Sequence, residues 1–174
     1  MSSPFPEIAP DFTQPLALLR TCHDKILHHC ELLEQLLTEL NGDKIDMATM
    51  TTAQKIYKYF HKSAPEHHQD EEQQLFVSLA RQSLKLADRV HRCKKEHQQL
   101  EALWAQIGPQ IQRPNLIKEW QPFLAQCREF IQVQREHVAY ENEELLDMAQ
   151  HIFGQRELEK MGRAMAERRG ILVR

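Results

Sequence analysis

The sequence predicts an all-α fold: an antiparallel up-down-up-down four-helix bundle with an extended N-terminal arm and a short C-terminal fifth helix. Three observations lead there. Glycine is scarce, 5 in 174 residues, and long stretches run without Gly or Pro, which favours helices over a turn-rich β fold. Apolar residues recur at alternating spacings of three and four along four segments, the period of one helix face. Short connections separate those segments, as in bundles whose helices turn back on one another.

At this length the chain is one domain by the usual size relation and can bury a sizeable core. Hydrophobic residues make up 41% and charged residues 27%, the balance of a soluble globular protein. No segment approaches the roughly 18–20 apolar residues of a membrane span. The N-terminal MSSPFPEIAPDFTQP has no basic patch followed by an apolar run, so no secretory signal is expected. A net charge of -3 argues against a nucleic-acid partner, because phosphate binding needs a basic face. Cys22, Cys30, Cys93 and Cys127 show neither a CxxC pair nor zinc-finger spacing. They read as small buried hydrophobes in a reducing, cytoplasmic setting.

Residues 1–14 carry Pro4, Pro6 and Pro10 and form the arm, with Pro15 opening the bundle of residues 15–153. The first stripe is Leu16, Leu19, His23, Ile26, Cys30, Leu33, Leu37 and Leu40, ended by Asn41-Gly42. The second is Ala53, Ile56, Phe60, Ala64, His67, Glu71 and Leu75, with Pro65 predicting a kink or broken hydrogen bond beside His67. The third runs Val90, Cys93, His97, Leu100, Trp104 and Ile107 to a stop at Gly108-Pro109. Pro114 and Pro122 bracket an irregular stretch before the fourth: Phe123, Cys127, Phe130, Gln134, His137, Glu141, Leu145 and Met148. Residues 154–174 form the last unit, a helix from Glu157 to Arg169 stopped by Gly170. With Met161, Met165 and Ile171 available, it either covers the bundle or makes a homodimer contact.

Each stripe has one histidine on its core face, and two add a glutamate one turn later. A lone core histidine usually hydrogen-bonds a carbonyl. Four of them with two buried acids need another explanation, because an ionised carboxylate without a partner is expensive to bury. His23 lies seven residues beyond Leu16, and His97 seven beyond Val90; Glu71 lies eight before Leu79, and Glu141 eleven before Ile152. At 1.5 Å per residue these offsets are roughly 10–17 Å from one bundle end, so the six side chains converge on one level. His67–Glu71 and His137–Glu141 are HxxxE pairs, whose spacing puts both side chains on one helix face. Imidazole suits iron, zinc and copper, and carboxylates bridge two metals. His68–Glu72 is a competing HxxxE pair, but it turns off the line of Ile56, Phe60 and Ala64, so His67 and Glu71 are preferred. His28, His29, His91 and His151 lie off the shared line and read as solvated. The chain has no ExxH for a ferritin-like site, no HExxH, no Gly-rich phosphate loop and no GxSxG.

With HDKIL at His23, HHQDEEQQLF from His67, EHQQLEALW around His97 and HVAYENEELL from His137, the chain resembles the hemerythrin family in its bacterial branch of HHE cation-binding domains. The resemblance covers about residues 15–150. It implies two iron ions, or an Fe/Mn mixture, with His23 and His67 on one metal and His97 and His137 on the other. Glu71 and Glu141 would bridge them alongside an oxo or hydroxo group. It also implies a small diatomic partner such as O2 or NO, bound, sensed or linked to iron handling, beside an apolar pocket including Phe60, Trp104 and Phe130. The alternative is an enzyme acting on peroxide or NO, or repairing iron–sulfur clusters, although repair relatives usually carry an N-terminal Cys segment. Family members commonly supply a fifth nitrogen ligand one turn beyond the third-helix histidine. Here that position is Glu101, with His61 and His68 as the other candidates.

Overall fold

The computed structural model describes residues 9–41 and 45–172. Among these, five α-helical runs, a short 3-10 turn at Pro114–Leu116 and no strand are present. Helix α1 is Pro15–Leu40, α2 is residues 47–80, α3 is Leu84–Gln112, α4 is residues 120–152 and α5 is Gln155–Arg168. Local chemistry sets several ends. Pro15 lies in the first turn of α1, where its missing N–H costs nothing. The Asp46 carboxylate accepts the Thr49 N–H at 2.7 Å to start α2, and the Ser83 hydroxyl accepts that of Leu86 at 3.2 Å to start α3. Gly170, at φ 70°, ends α5 in the left-handed region, and the Ile171 N–H returns to the Ala166 carbonyl. Among the expected features, residues 1–8 of the arm and Gly42 of the first stop lie outside the described residues.

Cross-helix pairs fix the relative directions of the helices. Arg20 meets Asp147 at 2.6 Å and Glu34 meets Arg135 at 2.8 Å, so numbers rise along α1 as they fall along α4. The same inversion relates α2 to α3, through Gln54 with Gln112 and Glu72 with His97. It relates α3 to α4 through Arg89 with Glu144 and Gln99 with Glu129, and α1 to α2 through His23 with Glu71 and His29 with Tyr59. The bundle is antiparallel throughout.

The core is divided. One apolar cluster, including Ile26, Leu33, Ile56, Phe60, Leu100, Ile107 and Phe130, fills one half. Another, including Leu19, Leu75, Phe76, Leu79, Val90 and Leu145, fills the other. The buried histidines and glutamates form the layer between. Where α2 and α4 pass this layer each contains a π-turn, at Glu71–Leu75 and Asn142–Leu146, closed by N–H groups reaching back five residues (Phe76 to Glu71, Asp147 to Asn142). Such turns insert one extra residue and concentrate at functional sites. The insertion explains why adjacent residues, Leu75 with Phe76 and Leu145 with Leu146, are both buried. It also corrects the fourth stripe: the phase advances by one, Ala149 is buried, and Met148 is 38% exposed. A further π-turn at Tyr59–Ser63 precedes Pro65. It absorbs the hydrogen bond that proline cannot donate, so the run continues rather than breaking.

The expected stop at Gly108-Pro109 is not a stop. Helix α3 runs through Pro109 to Gln112, and Ile107 and Ile111 on either side are fully buried. Burial of that last turn outweighs the missing donor. Gly108 instead makes room for Trp104, whose Cε2 would lie 2.9 Å from an added Cβ.

Helix α5 packs on α1 and α2, burying Met161, Met165 and Ala166 and leaving Ile171 45% exposed. The two methionines therefore cover the bundle rather than a partner. Gly162 lies against the Phe12 carbonyl, which an added Cβ would meet at 1.8 Å, so the end of the arm crosses this helix. That end is turned rather than fully extended, with the Gln14 N–H donating to the Asp11 carbonyl at 3.0 Å. The anchor of α5 is Asp70, whose fully buried carboxylate accepts from Arg168 and, at 2.7 Å, from Arg169. Asp70→Ala removes the carboxylate that both arginines share, leaving Arg168 only Gln73 and Arg169 only the Met165 carbonyl, and is expected to cost about 1.5–3 kcal/mol. Hydrogen exchange should show α5 losing protection before the four long helices; unchanged protection in α5 would contradict this anchoring.

Candidate metal centre

Glu71 and Glu141 have no solvent exposure, and the imidazoles around them are almost as buried. His23 Nε2 lies 3.0 Å from Glu71 Oε1 and 3.1 Å from Glu141 Oε2. His67 Nε2 is 2.8 Å from Glu71 Oε1, while His97 Nε2 is 3.2 Å from Glu71 Oε2. His137 Nε2 is 3.3 Å from Glu141 Oε1 and 3.0 Å from His97 Nε2. The separations fall into two groups that could each hold a metal ion. One is His23, His67, Glu71 and Glu141; the other is His68, Glu71, His97 and His137. A third, smaller group joins Cys93 to His137 and Glu141.

All six of these contacts are made through Nε2, and at three of the four histidines the other ring nitrogen is held elsewhere. His23 Nδ1 is held by Asn142 Oδ1, His97 Nδ1 by Glu72 Oε1, and His137 Nδ1 by Glu96 Oε2, each at 2.7 Å. Each acceptor fixes the proton on Nδ1 and directs the Nε2 lone pair inward, the usual second layer of a metal site. His97 and His137 then point two lone pairs at each other across 3.0 Å, an arrangement that repels unless a cation or proton lies between. Among the described residues, His68 Nε2, Glu71 Oε2 and both Glu141 oxygens are buried without a hydrogen bond. Ligand atoms about 2.1 Å from a shared metal and at right angles sit about 3.0 Å apart. The donor types, spacing and unsatisfied atoms all fit a metal pair.

Without metal, protons compensate the two carboxylates. Burial opposes charge on His23, but Glu141 and Glu71 hold its pKa well above the ordinary histidine value. Burial is likewise outweighed at His67, raised to about 9 chiefly by Glu71, and at His97, raised to about 10 by Glu71 and Glu72. Burial and the neighbouring His97 push His68 well down, so it stays neutral. Glu71 is held well below the carboxylate range: burial opposes this, but His67, His23 and His97 face it.

The structure brings together all six residues singled out from the sequence, His23, His67, Glu71, His97, His137 and Glu141, and adds His68. The choice of His67 over His68 is thus replaced by both. They lie on either side of the core-facing line, and His68 stacks on His97 with ring centroids 3.9 Å apart. His61 is exposed and stacks on Tyr57, and Glu101 is exposed at the rim of a cavity; neither joins the groups. His28, His91 and His151 are exposed, but His29 is 9% exposed, with its ring stacked on Tyr59 and Nδ1 2.7 Å from the Lys25 carbonyl. Glu96 and Asn142 were not anticipated, and Glu72, weighed from the sequence as half of a competing HxxxE pair, instead holds His97. Their signal was adjacency, since each directly precedes or follows a core residue: Glu96 before His97, Glu72 after Glu71, Asn142 after Glu141. The cavity, of ≈ 40 Å³, is lined by Phe60, Leu100, Trp104 and Phe130 and reaches His68 and Gln134, whose Oε1 is buried without a partner.

A helical bundle whose mid-core layer is built of histidines and carboxylates defines a metal-cation-binding protein. Comparison with known proteins agrees: the model of the hemerythrin HHE cation-binding domain matches residues 14–149, and the chain belongs to that family. An uncharacterized protein of Haemophilus influenzae (strain Rd) is 28% identical over 162 residues, covering 92% of each chain. No helix among the described residues is long and apolar enough to cross a membrane.

The protonation pattern sets the pH dependence of the metal-free protein. Raised histidine values contribute stability fully present below the unfolded value of 6.5 and lost as pH rises through about 9 at His67 and about 10 at His97. The lowered Glu71 value contributes stability present above 4.5 and lost as pH falls below it. The lowered His68 value acts the opposite way, giving stability present above 6.5 and lost as pH falls below it, so the melting temperature of the metal-free protein should peak near pH 6.5 and decline steadily toward 10. A flat alkaline limb would contradict the proposed charges.

Proposed function

We propose that this protein is a non-haem di-iron protein that binds a small diatomic ligand such as O2 or NO, in sensing or in iron handling. The observation that carries this reading is the pair of buried donor groups sharing Glu71. Each offers imidazole nitrogen together with carboxylate oxygen, a mixture that suits iron and tolerates manganese. His23 and His67 would hold one metal and His68, His97 and His137 the other, with Glu71 and Glu141 spanning the two and an oxo or hydroxo bridge completing them. His68 supplies the additional nitrogen that the third helix lacks at Glu101. When bound, the irons supply reversible coordination of the ligand.

The chain's own residues do the rest. Glu72, Glu96 and Asn142 orient three imidazoles. The Phe60, Trp104 and Phe130 rings make a small apolar approach that admits a diatomic molecule and restricts water. The Gln134 amide, buried in the wall of that cavity, is placed to hydrogen-bond a polar guest.

Loading the metal-free protein with iron, then measuring metal per chain and the absorption spectrum with and without O2 or azide, tests the reading. Two irons per chain and an azide-sensitive charge-transfer band are expected; a protein indifferent to iron in both binding and melting temperature would sink the proposal. Among variants, His137→Ala should lose at least about tenfold in metal affinity, by analogy with the cost of disturbing a metal's supporting shell. His151→Ala, on the exposed face, should bind as the parent does. Equal losses from both would show that the layer is not the metal site.

A further inference from the structure

The metal layer has an approximate internal symmetry that its chemistry breaks. Helices α1 and α3 contribute Cys22-His23 and Glu96-His97; helices α2 and α4 contribute His67-x-x-x-Glu71-Glu72 and His137-x-x-x-Glu141-Asn142. Matching positions do matching work. The residue after each shared glutamate holds a histidine of a neighbouring helix, Glu72 on His97 and Asn142 on His23. The residue before the α3 histidine holds the HxxxE histidine of α4, Glu96 on His137, whereas on the α1 side Cys22 takes that position and His67 Nδ1 has no hydrogen-bond partner among the described residues.

The supports differ in kind. On one side both imidazoles rest on carboxylates, Glu72 and Glu96, at 2.7 Å. Arg92 takes the other Glu96 oxygen at 2.8 Å and leaves Oε2 to His137. On the other side there is no carboxylate: the neutral Asn142 amide oxygen backs His23, and His67 Nδ1 is buried without a hydrogen-bond partner. A carboxylate accepting the Nδ1 proton makes Nε2 a stronger donor to metal, and such charge-assisted bonds are roughly twice as strong as neutral ones. His68 adds a third imidazole to the carboxylate-backed side. Glu71 faces both sides, with Oε1 toward His23 and His67 and Oε2 toward His97, so it does not discriminate between them.

We infer that the two metal positions are unequal. The position bounded by His68, His97 and His137 takes a divalent cation first and holds it more tightly. The position bounded by His23 and His67 loads second and exchanges, so the protein passes through a singly loaded state that accepts a different second metal. This rests on the dimetal reading above and adds an order of loading to it.

Calorimetric titration of the metal-free protein with Fe(II), without oxygen, tests the order. The parent should show two steps whose dissociation constants differ by at least about tenfold. Glu96→Gln should weaken the tighter step by about 10–100-fold and leave the other in place. Asn142→Asp puts a carboxylate behind His23 and should tighten the weaker step, closing the gap from below; it carries the test alone if Glu96→Gln fails to fold by circular dichroism. Two equal steps in the parent, a Glu96→Gln effect on the weaker step, or no effect of Asn142→Asp would each overturn the inference while leaving the dimetal reading intact. No Fe(II) binding by the parent would overturn both.

Discussion

Two carboxylates with no exposure, Glu71 and Glu141, sit in the middle of a helical core and dictate what surrounds them. Removing one ionised carboxylate from water costs several kcal/mol even after the protein relaxes. The bundle surrounds them with imidazoles drawn from every long helix, His23 from α1, His67 and His68 from α2, His97 from α3 and His137 from α4, and of these His23, His67 and His97 are held in the charged form. The apolar clusters above and below give each of these side chains a fixed helix to stand on. The π-turns in α2 and α4 start at or just after the glutamates and reset the helical phase, so the polar layer does not expose the hydrophobic residues beyond it.

The same layer couples to the outside of the molecule. Asp70 directly precedes Glu71 and is buried beneath Arg168 and Arg169, so the last turn of α5 is pinned beside the shared carboxylate. Gly162 in turn lets the backbone around Phe12 lie on α5. The terminal segments thus close over the layer's flank. The outward clamp Asp70 and the inward carboxylate Glu71 are consecutive residues of α2.

Much of this was legible in the sequence, because a charged or imidazole side chain on an otherwise apolar stripe stands out against the helical period. His23, His97 and the two HxxxE pairs all stood out that way, and so did the directions of the four long helices. What was not legible depends on small departures from that period. An ideal helix cannot place both His67 and His68 at the core, or both Leu145 and Leu146; packing and the inserted π-turn residues do. Pro109 looked like a terminus because local propensity opposes it, yet the buried Ile111 beyond it holds the turn. Glu96 and Asn142 are polar residues beside polar residues, with nothing in their spacing to separate them from a solvated face, and the His68–Glu72 spacing pointed to a ligand pair rather than to a support for His97. His29 escaped for a related reason, since stacking on Tyr59 from another helix is invisible along one chain.

Anomalous diffraction at the iron absorption edge from crystals of the iron-loaded protein tests the central claim most directly. Two peaks are expected in each chain, one among His23, His67, Glu71 and Glu141 and the other among His68, Glu71, His97 and His137. A single peak, or iron located anywhere outside this layer, would contradict it.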